Sequence, residues 1–290
     1  MAKVTSLREA VAELVRDGDA VALEGFTHLI PTAGAHEIIR QGRRNLTLIR
    51  MTPDLIYDQM IGMGCAKKLV FSWGGNPGVG SLHRFRDAIE HGWPEPIEID
   101  EHSHAGMANR YVAGASNLPF AVLRGYFGTD LPKVTSTIAP ITCPFTGEKL
   151  MAVPALNPDV AIIHAQQADR RGNVAIWGIS GIQKEAALSA RRVIVTVEEV
   201  VEEFEPRPFQ VVLPWVAVDA ISVVPNGATP PTRTATTTAT MPSTRPGTPS
   251  VATASCSGRG WRSMFWAWRT LRSTPVASRK RRQCDRRRCA

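Results

Sequence analysis

A glycine-bearing turn near the start of the chain is the first place where the sequence could do chemistry. The apolar run at residues 20–23 predicts a buried strand, and Pro31 favours the start of a helix. Between the two stand five candidate substrate-binding residues: Glu24, Gly25, Phe26, Thr27 and His28. Glycine lets the backbone approach a ligand closely, and a helix N-terminus favours anionic groups. A plain strand-to-helix turn is the alternative.

A second glycine-bearing segment follows the apolar run at residues 69–72. It contains Gly74, Gly75 and Asn76, followed by Pro77 and Gly78. Glycines after a strand permit a ligand to lie close to the backbone, although an ordinary Gly-Pro turn would have the same composition.

A third segment carries ionisable groups at the end of a predicted strand. Glu101 stands there as a candidate general base. Ser103 at the start of the next predicted helix and Arg110 within it are candidate substrate-binding residues. Arg110 could assist Glu101 in activating a water molecule; a solvated acid at a strand end is the alternative. His102 and His104 are two residues apart at a helix start and cannot face one site together, so we expect no metal site.

Strands and helices are predicted to alternate through most of the chain. The predicted strands are residues 20–23, 46–49, 69–72, 96–99, 160–164, 193–197 and 211–213, and the predicted helices are 7–15, 31–40, 53–63, 82–91, 103–115 and 182–191. Such alternation predicts βαβ units, hence an α/β fold with an open, mostly parallel sheet and helices on both faces. Ligands bind in the loops at the carboxyl ends of such strands.

The positive charge is confined to the C-terminal part of the chain. Of 34 Lys+Arg and 26 Asp+Glu in 290 residues, 13 bases and one acid lie in residues 229–290, which leaves 21 bases and 25 acids before them. The five cysteines have no metal-ligand spacing, and no apolar run reaches about 18 residues. We therefore expect a cytoplasmic protein with no membrane partner and no nucleic-acid partner for its body.

The C-terminal segment has the composition of a low-complexity tail. Residues 229–250 are almost wholly Thr, Pro, Ala, Ser and Arg, and an arginine cluster closes the chain. We predict a domain at residues 1–227 and a disordered basic tail at 228–290 that arises from a frame-shifted translation. A genuine basic tail that contacts nucleic acid through phosphates is the alternative.

The first turn resembles the signature of the A-type chain in family I coenzyme A (CoA) transferases. That signature has an Asp-Gly pair, a three-residue apolar strand and a Gly-Gly-Phe turn, to which Gly18, Gly25, Phe26 and Pro31 correspond. Further matching segments occur in the family's order, namely residues 71–78, 101–115, 118–120, 168–173 and 195–199, so the resemblance covers roughly residues 5–228. Glu24 replaces the first glycine of the pair, a form found in the glutaconate CoA-transferase A-like subgroup.

The resemblance implies a CoA-transferase/NagB-like fold and a ping-pong transfer of CoA between an acyl-CoA and a carboxylic acid. It also implies that the nucleophilic glutamate belongs to a B-type partner subunit, in a Glu-Asn-Gly or Glu-Ser-Gly loop that this sequence lacks. No cofactor is expected, because the CoA thioester is the substrate.

Two other functions stay open at this stage. A related branch opens rings of CoA-linked steroid degradation products by hydrolysis, with a glutamate on the A-type chain at a position comparable to Glu101. A non-catalytic ligand-binding domain on the same fold is the third possibility.

Overall fold

Strands and helices alternate along the chain, as the hydrophobic pattern predicts. The computed structural model describes residues 3–26, 28–75 and 80–228. The elements in chain order are β1 (Lys3–Val4), α1 (Leu7–Leu14), β2 (Ala20–Glu24), α2 (Thr32–Arg40), β3 (Leu46–Ile49), α3 (Leu55–Gly62), β4 (Ala66–Phe71), α4 (His83–Glu90), β5 (Glu98–Glu101), α5 (His104–Ala115), β6 (Phe120–Leu123), α6 (Leu131–Val134), β7 (Ala139–Thr142), β8 (Lys149–Pro154), β9 (Val160–Asp169), β10 (Val174–Ile176), α7 (Gln183–Ser189), β11 (Val193–Val201), β12 (Val211–Leu213), a 3₁₀ turn (Trp215–Ala217) and β13 (Ala220–Val223).

Polar side chains set the starts of several helices. Ser6 and Glu9 form a reciprocal capping box at α1, and Asp54 and Ser103 accept backbone N–H groups at the starts of α3 and α5. Pro31 occupies the capping position of α2, so this helix begins one residue after the predicted start. The starts of α1, α3 and α5 therefore follow from local hydrogen bonds that the sequence already suggests.

One large sheet forms the centre of the described part of the chain. Its main path runs β1-β13-β11-β9-β2-β3-β4-β5, and every neighbouring pair on this path is parallel. Only β10 and β12 add antiparallel pairs beside β9. The predicted open, mostly parallel sheet is confirmed. Strand order reverses between β2 and β9, so a crevice at the carboxyl ends of these two strands is the expected ligand position.

Helices cover both faces of the sheet. Val21 and Leu23 of β2 pack with α1, α2, α3 and α4 on one face, which we call the α3 face. Ala22 of the same strand packs with α5 and α7 on the opposite face, the α5 face. The alternation follows from the two-residue period of a strand, and it explains why the central strands are apolar throughout.

A small antiparallel sheet, in the order β6-β8-β7, was not predicted. Its own core consists of Tyr126, Ile138 and Val153. The strands are short and carry or adjoin prolines, and Pro140 lies in β7, which pairs on one side only. Because of these prolines the sequence of this region resembles that of a loop, and the strands are recognised only in the folded structure.

Some predicted boundaries were wrong by a few residues. The strand predicted at residues 96–99 is Glu98–Glu101, because Pro96 has no N–H to donate to a ladder. β9 and β11 extend beyond the predicted ends to Asp169 and Val201, where they pair with each other. β1, β10, β13 and the short helix α6 were missed.

The predicted tail lies almost wholly outside the described residues, which end at Ala228. Among the described helices, none combines the length and apolar character that a membrane crossing requires.

Candidate functional site

The candidate site lies at the carboxyl edge of the large sheet. Glu24 ends β2 next to β9, with Ile163 as its neighbour in register. Glu101 ends β5, three strands away, which corresponds to roughly 14 Å at ordinary strand spacing. The predicted site residues therefore fall into two groups, one at the β2–β9 crevice and one at the edge strand.

Glu24 is buried, with 3% of its surface exposed. Its Oε1 atom accepts hydrogen bonds from the Met51 backbone N–H at 3.0 Å and from the Tyr111 hydroxyl at 2.8 Å. Burial raises the pKa of the Glu24 carboxyl to about 7, although the nearby Arg50 charge and these hydrogen bonds act in the opposite direction. The carboxyl group is thus enclosed by hydrogen bonds within the chain.

Arg50, which the sequence analysis did not select, is the buried cation of this group. It directly follows β3 and is 2% exposed. Its Nη2 atom donates to the Gly25 carbonyl oxygen at 3.0 Å, and its Nη1 atom donates to Asp54 Oδ1 at 3.1 Å. The guanidinium also lies 5.5 Å from the centre of the Tyr57 ring. A charged residue at the carboxyl end of a buried strand was the signal that could have identified it.

The turn after β2 folds back tightly on itself. A Cβ atom at Gly25 would lie 2.5 Å from the Leu29 carbonyl oxygen, so only glycine fits this position. Phe26 is 42% exposed, whereas Gly25 and Leu29 are buried. The turn therefore reaches the protein surface at Phe26. Thr27 lies outside the described residues.

His28 connects this turn to the loop at residues 177–182. Its Nε2 atom accepts the Ile179 backbone N–H at 3.3 Å, and its Nδ1 atom lies 3.1 Å from the Phe26 carbonyl oxygen. Partial burial lowers the pKa of His28 below its ordinary value.

Two glycines of the same loop permit this close approach. Gly178 and Gly181 both have positive φ, and a Cβ atom at Gly181 would lie 2.9 Å from Phe26 Cβ and 3.8 Å from Phe26 N. The loop and the turn thus lie against each other without intervening side chains.

Gln183, at the start of α7, was also missed. It is fully buried, and its Nε2 atom lies within hydrogen-bond distance of the Glu24, Leu29 and His164 carbonyl oxygens, at 3.3, 3.3 and 3.0 Å. One side chain therefore joins both ends of the Gly25 turn to β9. A glutamine beside a Gly-x-x-Gly loop gave only a weak signal in the sequence.

The second predicted loop is partly engaged within the protein. The Gly75 N–H donates to the Pro53 carbonyl at 3.1 Å, and Ser72 and Trp73 both donate to the Met51 carbonyl. A Cβ atom at Gly74 would lie 3.0 Å from the Phe85 ring. These glycines allow the loop to pack on the segment after β3. Asn76 lies outside the described residues.

A second buried network surrounds Asp100 on β5. Arg110 Nη1 donates to Asp100 Oδ2 at 3.2 Å, the Thr137 hydroxyl donates to Oδ1 at 2.6 Å, and His102 Nε2 lies 3.1 Å from Oδ1. Burial alone would raise the pKa of Asp100, but the His102 and Thr137 hydrogen bonds and the Arg110 charge outweigh it and hold this pKa well below its ordinary value. Tyr126 contacts His102 Nδ1 at 3.1 Å.

Arg110 contacts Asp100 instead of Glu101, contrary to the expectation that it assists Glu101. Its Nε atom also donates to the Pro154 carbonyl oxygen at 3.0 Å. The buried guanidinium therefore joins β5 to the end of β8 in the small sheet.

Glu101 and Ser103 differ in their surroundings. Glu101 is partly exposed, and within the described ranges its carboxylate has neither an ion-pair nor a hydrogen-bond partner. The Ser103 hydroxyl accepts the Gly106 N–H at 3.0 Å and caps α5. Ser103 thus has a clear structural task, whereas Glu101 is chemically available.

No group of three or more His, Cys, Asp or Glu side chains in the described segments is arranged to hold a metal ion. His104 contacts the Thr52 hydroxyl, and His102 contacts the Asp100 network, so the two imidazoles have separate surroundings.

Comparison with known proteins gives consistent findings. The sequence profile described as coenzyme A transferase matches residues 4–223. The chain is 66% identical over 230 residues to the A-type chain of 3-oxoadipate CoA-transferase from Pseudomonas knackmussii, a match that covers 79% of this chain and 82% of the relative. It is 35% identical over 250 residues to the A-type chain of glutaconate CoA-transferase from Acidaminococcus fermentans, covering 79% and 77%. The crystal structure of glutaconate CoA-transferase from that organism superimposes with a TM-score of 0.73 at 34% identity, covering 79% of this chain and 78% of that chain.

Proposed function

The chain belongs to the coenzyme A transferase family, and we propose that it is the A-type half of a two-subunit 3-oxoadipate CoA-transferase. The observation that carries the substrate assignment is the 66% identity over 230 residues to the corresponding chain of an enzyme with that name. The enzyme would move CoA from an acyl-CoA donor to the carboxylate of 3-oxoadipate.

The buried state of the local acids supports a nucleophile on the partner subunit. The Glu24 carboxyl lies next to the Gly25 turn but is enclosed by Met51 and Tyr111, and Asp100 is enclosed by its own network. A carboxylate that attacks a thioester must reach its carbonyl carbon. Glu101 is accessible but lies three strands from the turn.

The proposed reaction proceeds by carboxylate exchange. A glutamate carboxylate, supplied by the B-type partner, attacks the acyl-CoA and releases CoA thiolate, which gives an acyl-glutamyl anhydride. The thiolate attacks the glutamyl carbonyl, releases the first carboxylic acid and leaves a glutamyl-CoA thioester. The 3-oxoadipate carboxylate then takes up the CoA through the same two steps in reverse. These steps exchange acyl groups between carboxylates and a thiolate, so they require neither a redox cofactor nor a metal.

Co-expression with a B-type partner tests the proposal. The purified complex is incubated with 3-oxoadipate and a panel of acyl-CoA donors, with EDTA present, and thioesters are separated by chromatography. We expect 3-oxoadipyl-CoA to form only when both subunits are present, and glutaconate to be a poorer acceptor. No thioester exchange, together with hydrolysis of a ring carbon–carbon bond in a cyclic CoA ester that keeps its CoA, would instead support the ring-opening hydrolase alternative.

Two further parts of the proposal concern the chain as a whole. We infer a cytoplasmic location from the cysteine pattern, and a domain at residues 1–227 followed by a frame-shifted tail. The family match ends at residue 223, which supports this boundary. Resequencing the gene tests the tail, since an intact frame without an upstream slip would contradict a frame shift.

A further inference from the structure

The ends of β2 and β3 are joined by two hydrogen bonds of opposite direction. Arg50 donates from the β3 side to the Gly25 carbonyl, and the Met51 N–H donates to the Glu24 carboxyl on the β2 side. The Arg50 and Glu24 side chains are both buried. This double connection fixes the peptide that follows Glu24 relative to the neighbouring strand.

The connection determines which way the next peptide group faces. The peptide between Gly25 and Phe26 is planar and trans, so its carbonyl and its N–H point in opposite directions. Arg50 holds the carbonyl on the side of Tyr57, a core residue of the α3 face. The Phe26 N–H therefore points away from Arg50.

The neighbouring loop carries no side chain at Gly181, next to this N–H. A Cβ atom there would lie 3.8 Å from Phe26 N. In the part of the chain that the structure describes, the Phe26 N–H has no hydrogen-bond acceptor. A backbone donor without an acceptor beside a half-exposed aromatic ring is available to a ligand.

We propose that Arg50 is a positioning residue for CoA transfer, which holds the Gly25 carbonyl inward so that the Phe26 N–H donates to the thioester oxygen of the acyl-CoA. This inference rests on the proposed function. The oxygen gains negative charge when a carboxylate attacks the thioester carbonyl, and a fixed donor stabilises that charge without reorganising. Arg50 itself does not touch the substrate.

Substitution of Arg50 in the complex of the two subunits tests the inference. Arg50→Met releases the Gly25 carbonyl, and we expect kcat to fall about 100-fold with KM changed less than about threefold, as for loss of one oxyanion donor. Arg50→Lys keeps the charge but replaces the two nitrogens that donate to Gly25 and Asp54 with one, so we expect a loss of about tenfold. The rate of glutamyl-CoA formation in a single turnover should fall in parallel.

Arg192→Met is the matched control. Arg192 holds the Leu14 and Asp159 carbonyls and the Asp19 carboxylate, but these groups lie at the opposite edge of the sheet. We expect this variant to lose stability while its kcat in the assembled complex stays within about twofold, because no active-site peptide moves.

The outcomes separate the inference from the function on which it rests. If the Met variant does not assemble, the Lys variant decides, and an unchanged kcat in an assembled Lys or Met variant overturns the inference. A wild-type complex that transfers no CoA overturns the proposed function, and the inference falls with it.

Discussion

Glu24 and Asp100 are both buried acids at the carboxyl edge of the large sheet, and each has an arginine nearby, yet their pKa values shift in opposite directions. Asp100 receives direct hydrogen bonds from Arg110 and Thr137. Arg50 instead donates to Gly25 and Asp54, so Glu24 feels its charge without a direct bond. At Asp100 the hydrogen bonds with His102 and Thr137 and the Arg110 charge outweigh burial, so the pKa is lowered. At Glu24 burial outweighs the Arg50 charge and the hydrogen bonds, so the pKa is raised.

The difference indicates two tasks. Asp100, Arg110 and Tyr126 join the edge of the large sheet to the small sheet, which is a structural connection. Glu24 and Arg50 hold the backbone of a turn that reaches the surface. Disruption of the first network should therefore reduce stability, and disruption of the second should reduce turnover.

The largest loss of stability is expected for Arg110→Met. This change leaves Asp100 buried without its charged donor and should lower the free energy of unfolding by about 3–5 kcal/mol. Urea unfolding of the two-subunit complex measures it, and kcat of the assembled variant should stay within about threefold. Arg86→Met is the control, since its exposed pair with Glu90 contributes about 0.5 kcal/mol or less. A loss below about 1 kcal/mol for Arg110→Met would contradict the structural role.

A smaller effect is expected from pH at Glu24. Because its folded pKa of about 7 exceeds the ordinary 4.5, the native state binds more protons than the unfolded state between these values. The free energy of unfolding should thus fall as pH rises from about 5 to 7, by an amount on the order of 3 kcal/mol that Glu24→Gln removes. Unfolding measured at pH 5, 6, 7 and 8 reveals the slope.

Asp100→Asn provides the opposite case. Because the pKa of Asp100 is lowered in the folded protein, its ionised carboxylate stabilises the native state at pH values above the ordinary pKa of an aspartate. This contribution is lost as the pH falls from the ordinary pKa towards the lower pKa of the folded state. The variant should lack this acid-dependent loss. Equal slopes for the wild type and both variants would show that neither acid titrates as described.

Tyr126→Phe should have a still smaller effect. The hydroxyl contacts His102 Nδ1 and accepts the Ser103 N–H at 3.2 Å. Its removal leaves the buried His102 Nδ1 atom and the partly buried Ser103 N–H without this partner and should cost about 1–3 kcal/mol. A lower urea midpoint, with an unchanged dependence of the unfolding free energy on urea concentration, would show this loss. Unchanged stability would mean that water replaces the hydroxyl.

Glu101→Gln is expected to change activity least. The residue lies three strands from the Gly25 turn, so the rate of transfer to 3-oxoadipate should fall less than about tenfold. Loss of a general acid or base that takes part in the reaction would lower the rate by at least about 100-fold. Complete loss of activity would instead favour the hydrolase alternative. Glu98→Gln, an exposed change on the same strand, serves as the control.

Much of the fold follows from local pattern. The apolar run ending at Leu23 and the alternation of strands and helices predict the parallel sheet, and Ser103 caps its helix as its type suggests. The small sheet could not be predicted, because its short strands lie between prolines and are stabilised by contacts with α5 and with each other.

The sequence by itself determined the α/β class, the position of the Gly25–Phe26 turn after a buried strand and the family to which the chain belongs. Only the tertiary structure decided that Arg50 serves the turn and that Arg110 serves Asp100. Hydrophobic periods depend on neighbours along the chain, whereas the partner of a buried charge depends on which strands lie side by side.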